Sequence, residues 1–142
     1  MDKSITEFKE NALTADIYQK LRSSVGWSNF DNVQISQSLS RSLYSLVAYD
    51  AKKPVGMGRI VGDGIYNIIC DVVVDPAYQG RGIGTEIMDR LLEYLKDRTP
   101  ENGRTSVHLI AEKGKETYYE RFGFRSVPHE SSGSGMRMII RK

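Results

Sequence analysis

A glycine-rich segment between an apolar run and a helical pattern is the part of the sequence best suited to chemistry. The apolar run ends at Asp75-Pro76, and the loop that follows consists of Gln79, Gly80, Arg81, Gly82, Ile83, Gly84 and Thr85. Glycines let a bulky ligand approach the backbone, and the first turn of a helix carries N–H groups without partners inside the helix. Because Arg81 adds a permanent positive charge, the segment predicts a site for a phosphate or pyrophosphate.

The spacing of this loop separates the classes of nucleotide site. A Walker A loop is excluded, because it needs Gly-Lys-Ser/Thr, which the sequence lacks. The dinucleotide fingerprint fits poorly, since the third glycine comes too early and no acidic strand end follows at the usual distance. The alternative is a loop that only connects a strand to a helix and binds no ligand. Three alternating glycines with an interleaved arginine exceed what such a turn needs.

Two motifs together give the sequence a family resemblance. Residues 79–84, Gln-Gly-Arg-Gly-Ile-Gly, resemble the Gln/Arg-x-x-Gly-x-Gly/Ala signature of the GNAT acetyltransferase superfamily. Residues 118–124, Tyr-Tyr-Glu-Arg-Phe-Gly-Phe, resemble the aromatic-Tyr-x-x-x-Gly-Phe motif of the same family. Because both occur in the family's order and spacing, the resemblance implies a GNAT fold and acetyl-CoA as co-substrate.

The resemblance also implies roles for individual residues. In GNAT proteins the strand before the signature splays from its neighbour, and its backbone binds the pantetheine arm. By position these residues are Val72, Val73 and Val74, and a backbone N–H of Val74 or its neighbour would polarise the thioester carbonyl. The loop from residue 79 to Thr85 would hold the pyrophosphate. Tyr119 matches the tyrosine that often protonates the departing CoA thiolate.

Two carboxylates are candidates for the base that accepts a proton from the incoming ammonium group. Asp71 is the only charged residue in residues 68–74, and an unpaired carboxylate in a buried strand is costly. Such a residue usually has a partner or a task, so a structural salt bridge is an equal alternative. Glu112, at the end of the next predicted strand, is the second candidate. Proton loss through ordered water is left open.

The acceptor pocket is expected beside the first two helices. Trp27 and Phe30 would either line this pocket or form a hydrophobic staple at the start of the second helix. Arg59 lies in a predicted strand, where it either binds an acidic group or pairs across the sheet. The function predicted is an N-acetyltransferase in which a primary amine attacks acetyl-CoA directly. The alternatives are a non-catalytic acyl-CoA sensor, or an acyltransferase with another donor or acceptor.

Hydrophobic periodicity predicts the elements that must position these residues. The predicted strands cover residues 5–9, 43–49, 55–61, 65–74, 106–111, 124–127 and 136–140, and the predicted helices cover 14–24, 32–42, 83–98 and 115–122. The fold class is α/β (α+β). The expectation is a mixed, mostly antiparallel sheet of about seven strands with about four helices.

Bulk properties exclude several classes of protein. The 142 residues predict one domain over 1–142, and a net charge of +2 gives no reason to expect nucleic acid or a membrane surface as partner. One cysteine and two separated histidines predict no metal site. We find no signal segment or membrane-spanning run, so a cytoplasmic location is expected. Pairing of two copies is left open.

Overall fold

The chain forms two compact units. The structure is a computed structural model that describes Ile5 and residues 7–142. The first unit is Met1–Leu109, which contains the sheet, and the second is Ile110–Lys142. The expectation of a single domain over residues 1–142 stays a prediction. The start of the predicted strand at residues 5–9 includes Thr6, which lies outside the described residues.

The described part of the chain contains five strands and four α-helices. The strands are β1 Glu7–Glu10, β2 Tyr44–Asp50, β3 Lys53–Gly62, β4 Tyr66–Val74 and β5 Ser106–His108. The helices are α1 Ala15–Ser24, α2 Asn32–Leu39, α3 Ile83–Arg98 and α4 Glu116–Glu120, and a short 3₁₀ turn covers Pro76–Tyr78. The predicted number of helices is therefore confirmed.

The sheet follows the chain order β1-β2-β3-β4-β5. The first three pairs are antiparallel and β4 pairs with β5 in parallel. This corrects the prediction of about seven, mostly antiparallel strands: the sheet is mixed and has five. Residues 124–127 and 136–140 have an apolar strand-like pattern but form no strand in the part of the chain that is described. Met136 is 96% exposed and Ile140 77% exposed, so no buried face holds this segment in a ladder.

Helix α3 packs closely on one face of the sheet. Its residues Ile83, Ile87, Met88, Leu91 and Leu95 are buried, as the helical spacing predicts. The close approach depends on a glycine of β3. A Cβ added at Gly58 would lie 2.7 Å from Cγ2 of Ile87 and 3.0 Å from Cδ1 of Leu91.

Replacing Gly58 by Ala is therefore expected to lower the free energy of unfolding by about 1–3 kcal/mol through overpacking. Urea denaturation measures the effect as a lower midpoint at an unchanged slope. Gly133→Ala is the matched control, because a Cβ there would meet no atom within 4 Å. Equal midpoints for the two variants would contradict the packing described above.

Helices α1 and α2 share a second core. Tyr18, Leu21, Ile35, Met57 and Val73 are buried together in one cluster. Side chains cap both helices, since Oγ1 of Thr14 accepts from the N–H of Ile17, and Asp31 accepts from the first turn of α2. These caps begin the two helices within a residue of the predicted starts.

Strand β4 contains a bulge that the alternation pattern does not reveal. Its register against β3 shifts, so that Gly58 alone faces both Asp71 and Val72. Asp71 takes up the extra residue with a left-handed backbone, φ 57°. Side chains normally alternate between faces, but the extra residue brings Cys70 and Asp71 to the same face, where both lie beside Arg59.

Candidate functional site

The second half of β4 has an open edge. Strands β4 and β5 pair only from Tyr66 opposite Ser106 to Ile68 opposite His108, and residues 69–74 have no strand partner on that side within the described chain. The N–H of Asp75 donates to the carbonyl of Val55 at 2.8 Å. Because backbone groups alternate along a strand, the N–H groups of Val72 and Val74 turn away from β3 toward the open edge.

Val73 differs from Val72 and Val74 in its burial and in the direction of its backbone N–H. It pairs with Met57 of β3 and is only 3% exposed, because its side chain belongs to the core under α1 and α2. Of the three residues predicted to bind pantetheine, Val72 and Val74 direct their N–H groups to the open edge. The structure thus brings two of the three predicted backbone donors to one edge.

The loop after β4 is held against the end of that strand. The Asp75 carboxylate accepts from the N–H of Ala77 at 2.9 Å. The side-chain amide of Gln79 donates through Nε2 to the carbonyl of Val74 at 3.0 Å. Gly80 and Gly82 adopt φ 78° and 83°, and a Cβ added at either would meet nothing within 4 Å. The glycines are therefore required by backbone conformation, and the space above them is open.

Helix α3 begins at the end of this loop without a side-chain cap. Gly82 is its N-cap, and the first helical bond runs from the N–H of Glu86 to the carbonyl of Gly82 at 3.0 Å. The N–H groups of Ile83 and Gly84 donate to no residue that the structure describes. The Arg81 guanidinium lies 5.0 Å from the ring centre of Tyr78. Amides without a hydrogen-bond acceptor among the described residues, together with the helix dipole, make this turn suited to an anion.

Asp71 occupies the centre of an ion-pair cluster on the face of the sheet opposite α3. Its Oδ1 accepts from Nη1 of Arg22 at 2.8 Å, and its Oδ2 accepts from Nε of Arg59 at 2.9 Å. The Tyr18 hydroxyl also donates to Oδ2, at 3.0 Å. The three charged side chains are only 9–12% exposed. The salt-bridge alternative considered for Asp71 is thus observed, and its role as a base stays a prediction.

Two further titratable side chains lie at the cluster, those of Tyr18 and Cys70, and both are uncharged at neutral pH. Burial, and then the neighbouring Asp71 carboxylate, raises the pKa of Tyr18 to about 12. Burial raises the pKa of Cys70 to about 11, so the thiol is not activated.

The loop between α1 and α2 closes over Arg22. The guanidinium lies 5.2 Å from the Trp27 ring and 4.9 Å from the Phe30 ring, and its Nη2 donates to the carbonyl of Ser28 at 2.6 Å. Trp27 and Phe30 therefore stack on a cation that the protein itself supplies. Sequence reasoning missed Arg22 and Tyr18 as parts of the site. Their signal is an i, i+4 pair on the buried face of α1.

Replacing Asp71 by Asn is expected to destabilise the fold by about 3 kcal/mol, because two buried guanidiniums lose their counter-ion. Asn tolerates the left-handed backbone at this position, so the change isolates the charge. Chemical denaturation provides the measurement. Glu112→Gln, which neutralises the other candidate base, should barely move the midpoint, since its ion pair with Lys115 is exposed. Equal effects of both variants would refute the buried cluster.

The second unit contains the other two predicted site residues. Tyr119 lies in α4, is half-buried, and packs edge-on against Tyr118 with ring centres 5.1 Å apart. Burial, with smaller contributions from Tyr118 and Glu112, raises the pKa of Tyr119 above its ordinary value. Glu112 is exposed and pairs with Lys115 at 3.3 Å.

The position predicted for Glu112 at a strand end is wrong. Strand β5 covers Ser106–His108 rather than residues 106–111, because its neighbour β4 pairs with it over three residues only. Glu112 therefore follows an irregular segment. Its role as a base stays a prediction, as does that of Tyr119 as an acid.

No group of three or more His, Cys, Asp or Glu side chains among the described residues is arranged to hold a metal ion. No helix in the described part of the chain is long and apolar enough to cross a membrane.

Comparisons with known proteins agree with this architecture. A curated relative, GCN5-related N-acetyltransferase 1 of Arabidopsis thaliana chloroplasts, is 34% identical over 133 residues, which are 92% of this chain and 64% of the relative. The chain thus spans less than two thirds of that relative's length. A GNAT-family acetyltransferase of Streptococcus pneumoniae is 30% identical with a TM-score of 0.78, covering 97% of this chain and 99% of the other.

A further solved structure is similar in fold. It is a predicted acetyltransferase of Clostridium acetobutylicum, solved with acetyl-CoA, that is 18% identical with a TM-score of 0.68 and covers 86% of this chain and 91% of its own. The family model described as an acetyltransferase (GNAT) domain matches residues 9–140. With the open edge of β4 and the glycine loop before α3, this match establishes that the chain belongs to the GNAT acetyltransferase family.

Proposed function

We propose that the protein is an acetyl-CoA-dependent N-acetyltransferase in which a primary amine attacks the thioester directly. The observation that carries the proposal is the junction of β4 and α3. There an unpaired strand edge leads within a few residues into a helix whose first two amides, those of Ile83 and Gly84, donate to none of the described residues. A strand edge offers backbone bonds to an extended amide-bearing arm, and the helix start offers them to a pyrophosphate.

The donor site follows from this junction. The pantetheine arm would lie along the open edge, bonded to backbone groups of Val72 and Val74. The pyrophosphate would lie against the amides of residues 80–85. The Clostridium acetobutylicum protein of the same fold, solved with acetyl-CoA, supports the choice of donor. The N–H of Val74 is the donor available to polarise the thioester carbonyl as negative charge develops on its oxygen.

Proton transfers complete the reaction. The amine nitrogen bonds to the acetyl carbon while the C–S bond breaks, and the CoA sulfur leaves as a thiolate. Tyr119 would protonate that thiolate, and its raised pKa keeps the phenol protonated at neutral pH. Asp71 already accepts from three donors, which favours a positioning role for it. One proton of the ammonium group would leave through Glu112 or ordered water before the attack, and the second proton, which the nitrogen loses as the amide forms, would restore the Tyr119 phenol.

A thiol-release assay tests the proposal. The purified protein is incubated with acetyl-CoA and a panel of amines, free CoA is followed with a thiol reagent, and the acetylated product is identified by mass spectrometry. We expect release that depends on one class of amine. Tight CoA binding without release for any amine would favour the acyl-CoA sensor instead. Propionyl-CoA and longer acyl donors in the same assay test the choice of acyl group.

A further inference from the structure

A small cavity lies between α1, α2 and β3, beside the ion-pair cluster. Its volume is about 100 Å³, well below the several hundred Å³ of a pocket for a drug-sized ligand. The polar residues Arg59, Gln34 and Ser38 line it, together with Phe30 and Ile35. The cavity therefore fits a small polar group on a short carbon stem.

Arg59 lines this cavity, and one of its guanidinium nitrogens has no hydrogen-bond partner among the described residues. Arg59 donates through Nε to Asp71 at 2.9 Å and through Nη1 to Oγ of Ser42 at 3.1 Å. Its Nη2 bonds to none of the residues that the structure describes. The side chains of Gln34 and Ser38 also make no hydrogen bond within the described chain, although both carry donors.

The cluster beside the cavity carries excess positive charge. Arg22 and Arg59 contribute two cations, and among the residues that the structure describes Asp71 is the only carboxylate that pairs with them. Tyr18 and Cys70 stay neutral, because burial raises the pKa of each far above neutral pH. Since these side chains are largely buried, their charge is weakly screened and favours an anion in the cavity.

We propose that this cavity binds a carboxylate of the acceptor, so that the acceptor is a small amine that also carries an acid group, as an amino acid does. This inference rests on the proposed function. Guanidinium nitrogens match carboxylate oxygens in geometry as well as in charge. The Gln34 amide and the Ser38 hydroxyl supply further donors. The same charge opposes a polyamine, whose second ammonium group would meet a cationic wall.

Matched pairs of acceptors test the inference directly. Glycine, β-alanine and γ-aminobutyrate are each compared with their carboxamides, and spermidine represents the polyamines. We expect kcat/KM at least tenfold higher for an acid than for its amide, with the difference in KM. Equal or better turnover of the amides or of spermidine would overturn the carboxylate site and leave acyl transfer intact.

Variants on α2 test whether the preference arises at this cavity. Gln34→Glu places a negative charge at the cavity without removing any member of the buried cluster. We expect the preference for β-alanine over its amide to fall about tenfold. Gln37→Glu is the control, because it adds the same charge to an exposed position of the same helix that does not line the cavity. An equal fall in both variants would refute the assignment.

A binding measurement separates this inference from the reaction itself. Calorimetry with N-acetyl-β-alanine on the CoA-loaded protein reports the carboxylate site without turnover. We expect binding that Gln34→Glu weakens about tenfold while the thermal midpoint is unchanged. If no amine is acetylated but this ligand still binds in that way, the acyl-transfer proposal fails and the carboxylate site stands. Absence of both turnover and binding would overturn both.

Discussion

Replacing Gly82 by Asp is expected to lower the affinity for acetyl-CoA roughly hundredfold or more. The new carboxylate would lie at the N-cap of α3, where the pyrophosphate is proposed to bind. Two unit charges about 4 Å apart near a protein surface repel by about 4 kcal/mol before salt screening. Calorimetric titration with CoA measures the loss. An unchanged affinity would remove the pyrophosphate from this loop.

Gly82→Asn is the matched control for that change. Asn and Asp both tolerate a left-handed backbone, and both are good N-cap residues, so the two variants should be similarly stable. A Cβ at this position meets nothing within 4 Å in the protein. The difference in CoA affinity between Asp and Asn therefore reports charge alone. If both variants lose affinity equally, crowding of the ligand rather than charge explains the effect.

Replacing Tyr119 by Phe is expected to lower kcat about 100-fold, with KM for acetyl-CoA changed little. General acid catalysis contributes about 10²–10⁴ in rate. The reference pKa of a thiol is near 8.5 and that of tyrosine near 10, so protonation of the thiolate is uphill by roughly 2 kcal/mol before burial adds to it. Phe keeps the ring that packs against Tyr118 and removes only the hydroxyl group that would donate the proton.

Tyr118→Phe and the pH profile serve as controls. Tyr118 neighbours Tyr119 on α4, and loss of its hydroxyl should leave kcat nearly unchanged. Because the pKa of Tyr119 is raised, its phenol stays protonated through neutral pH, and activity should fall only at a pH above that at which an ordinary tyrosine ionises. That alkaline fall should disappear in Tyr119→Phe. Equal kcat in the wild type and Tyr119→Phe would exclude this acid.

The loop and the helix after it could be predicted because their signals are local. The spacing of Gly80 and Gly82 specifies backbone conformations, and both glycines adopt the left-handed region. The buried stripe of α3 follows from helical periodicity alone. Nothing more distant than the next turn is needed for either feature.

The ion-pair cluster could not be predicted, because its members come from three separate elements. Arg22 lies on α1, Arg59 on β3 and Asp71 on β4. Strict alternation also misplaces Asp71 relative to Cys70, since it assumes that no residue is extra. The sequence indicated that a buried carboxylate needs a partner but not which one.

The C-terminal strands were mispredicted for a related reason. An apolar pattern such as that of residues 136–140 specifies the faces of a strand, whereas a strand also needs backbone partners. The same limit applies to β5, which ends at His108 where its pairing with β4 ends.

Because β4 contains a bulge, a change in the number of its residues would break more contacts than a change in most of its side chains. Deleting one residue there would exchange the faces of every side chain on one side of the deletion. Either Asp71 would leave Arg22 and Arg59, or the backbone N–H of Val74 would turn from the open edge to β3. Substitutions along β4 thus change one contact each, whereas insertions and deletions uncouple the two sides of the sheet. We infer that, within β4, related chains would differ by substitutions rather than by insertions or deletions.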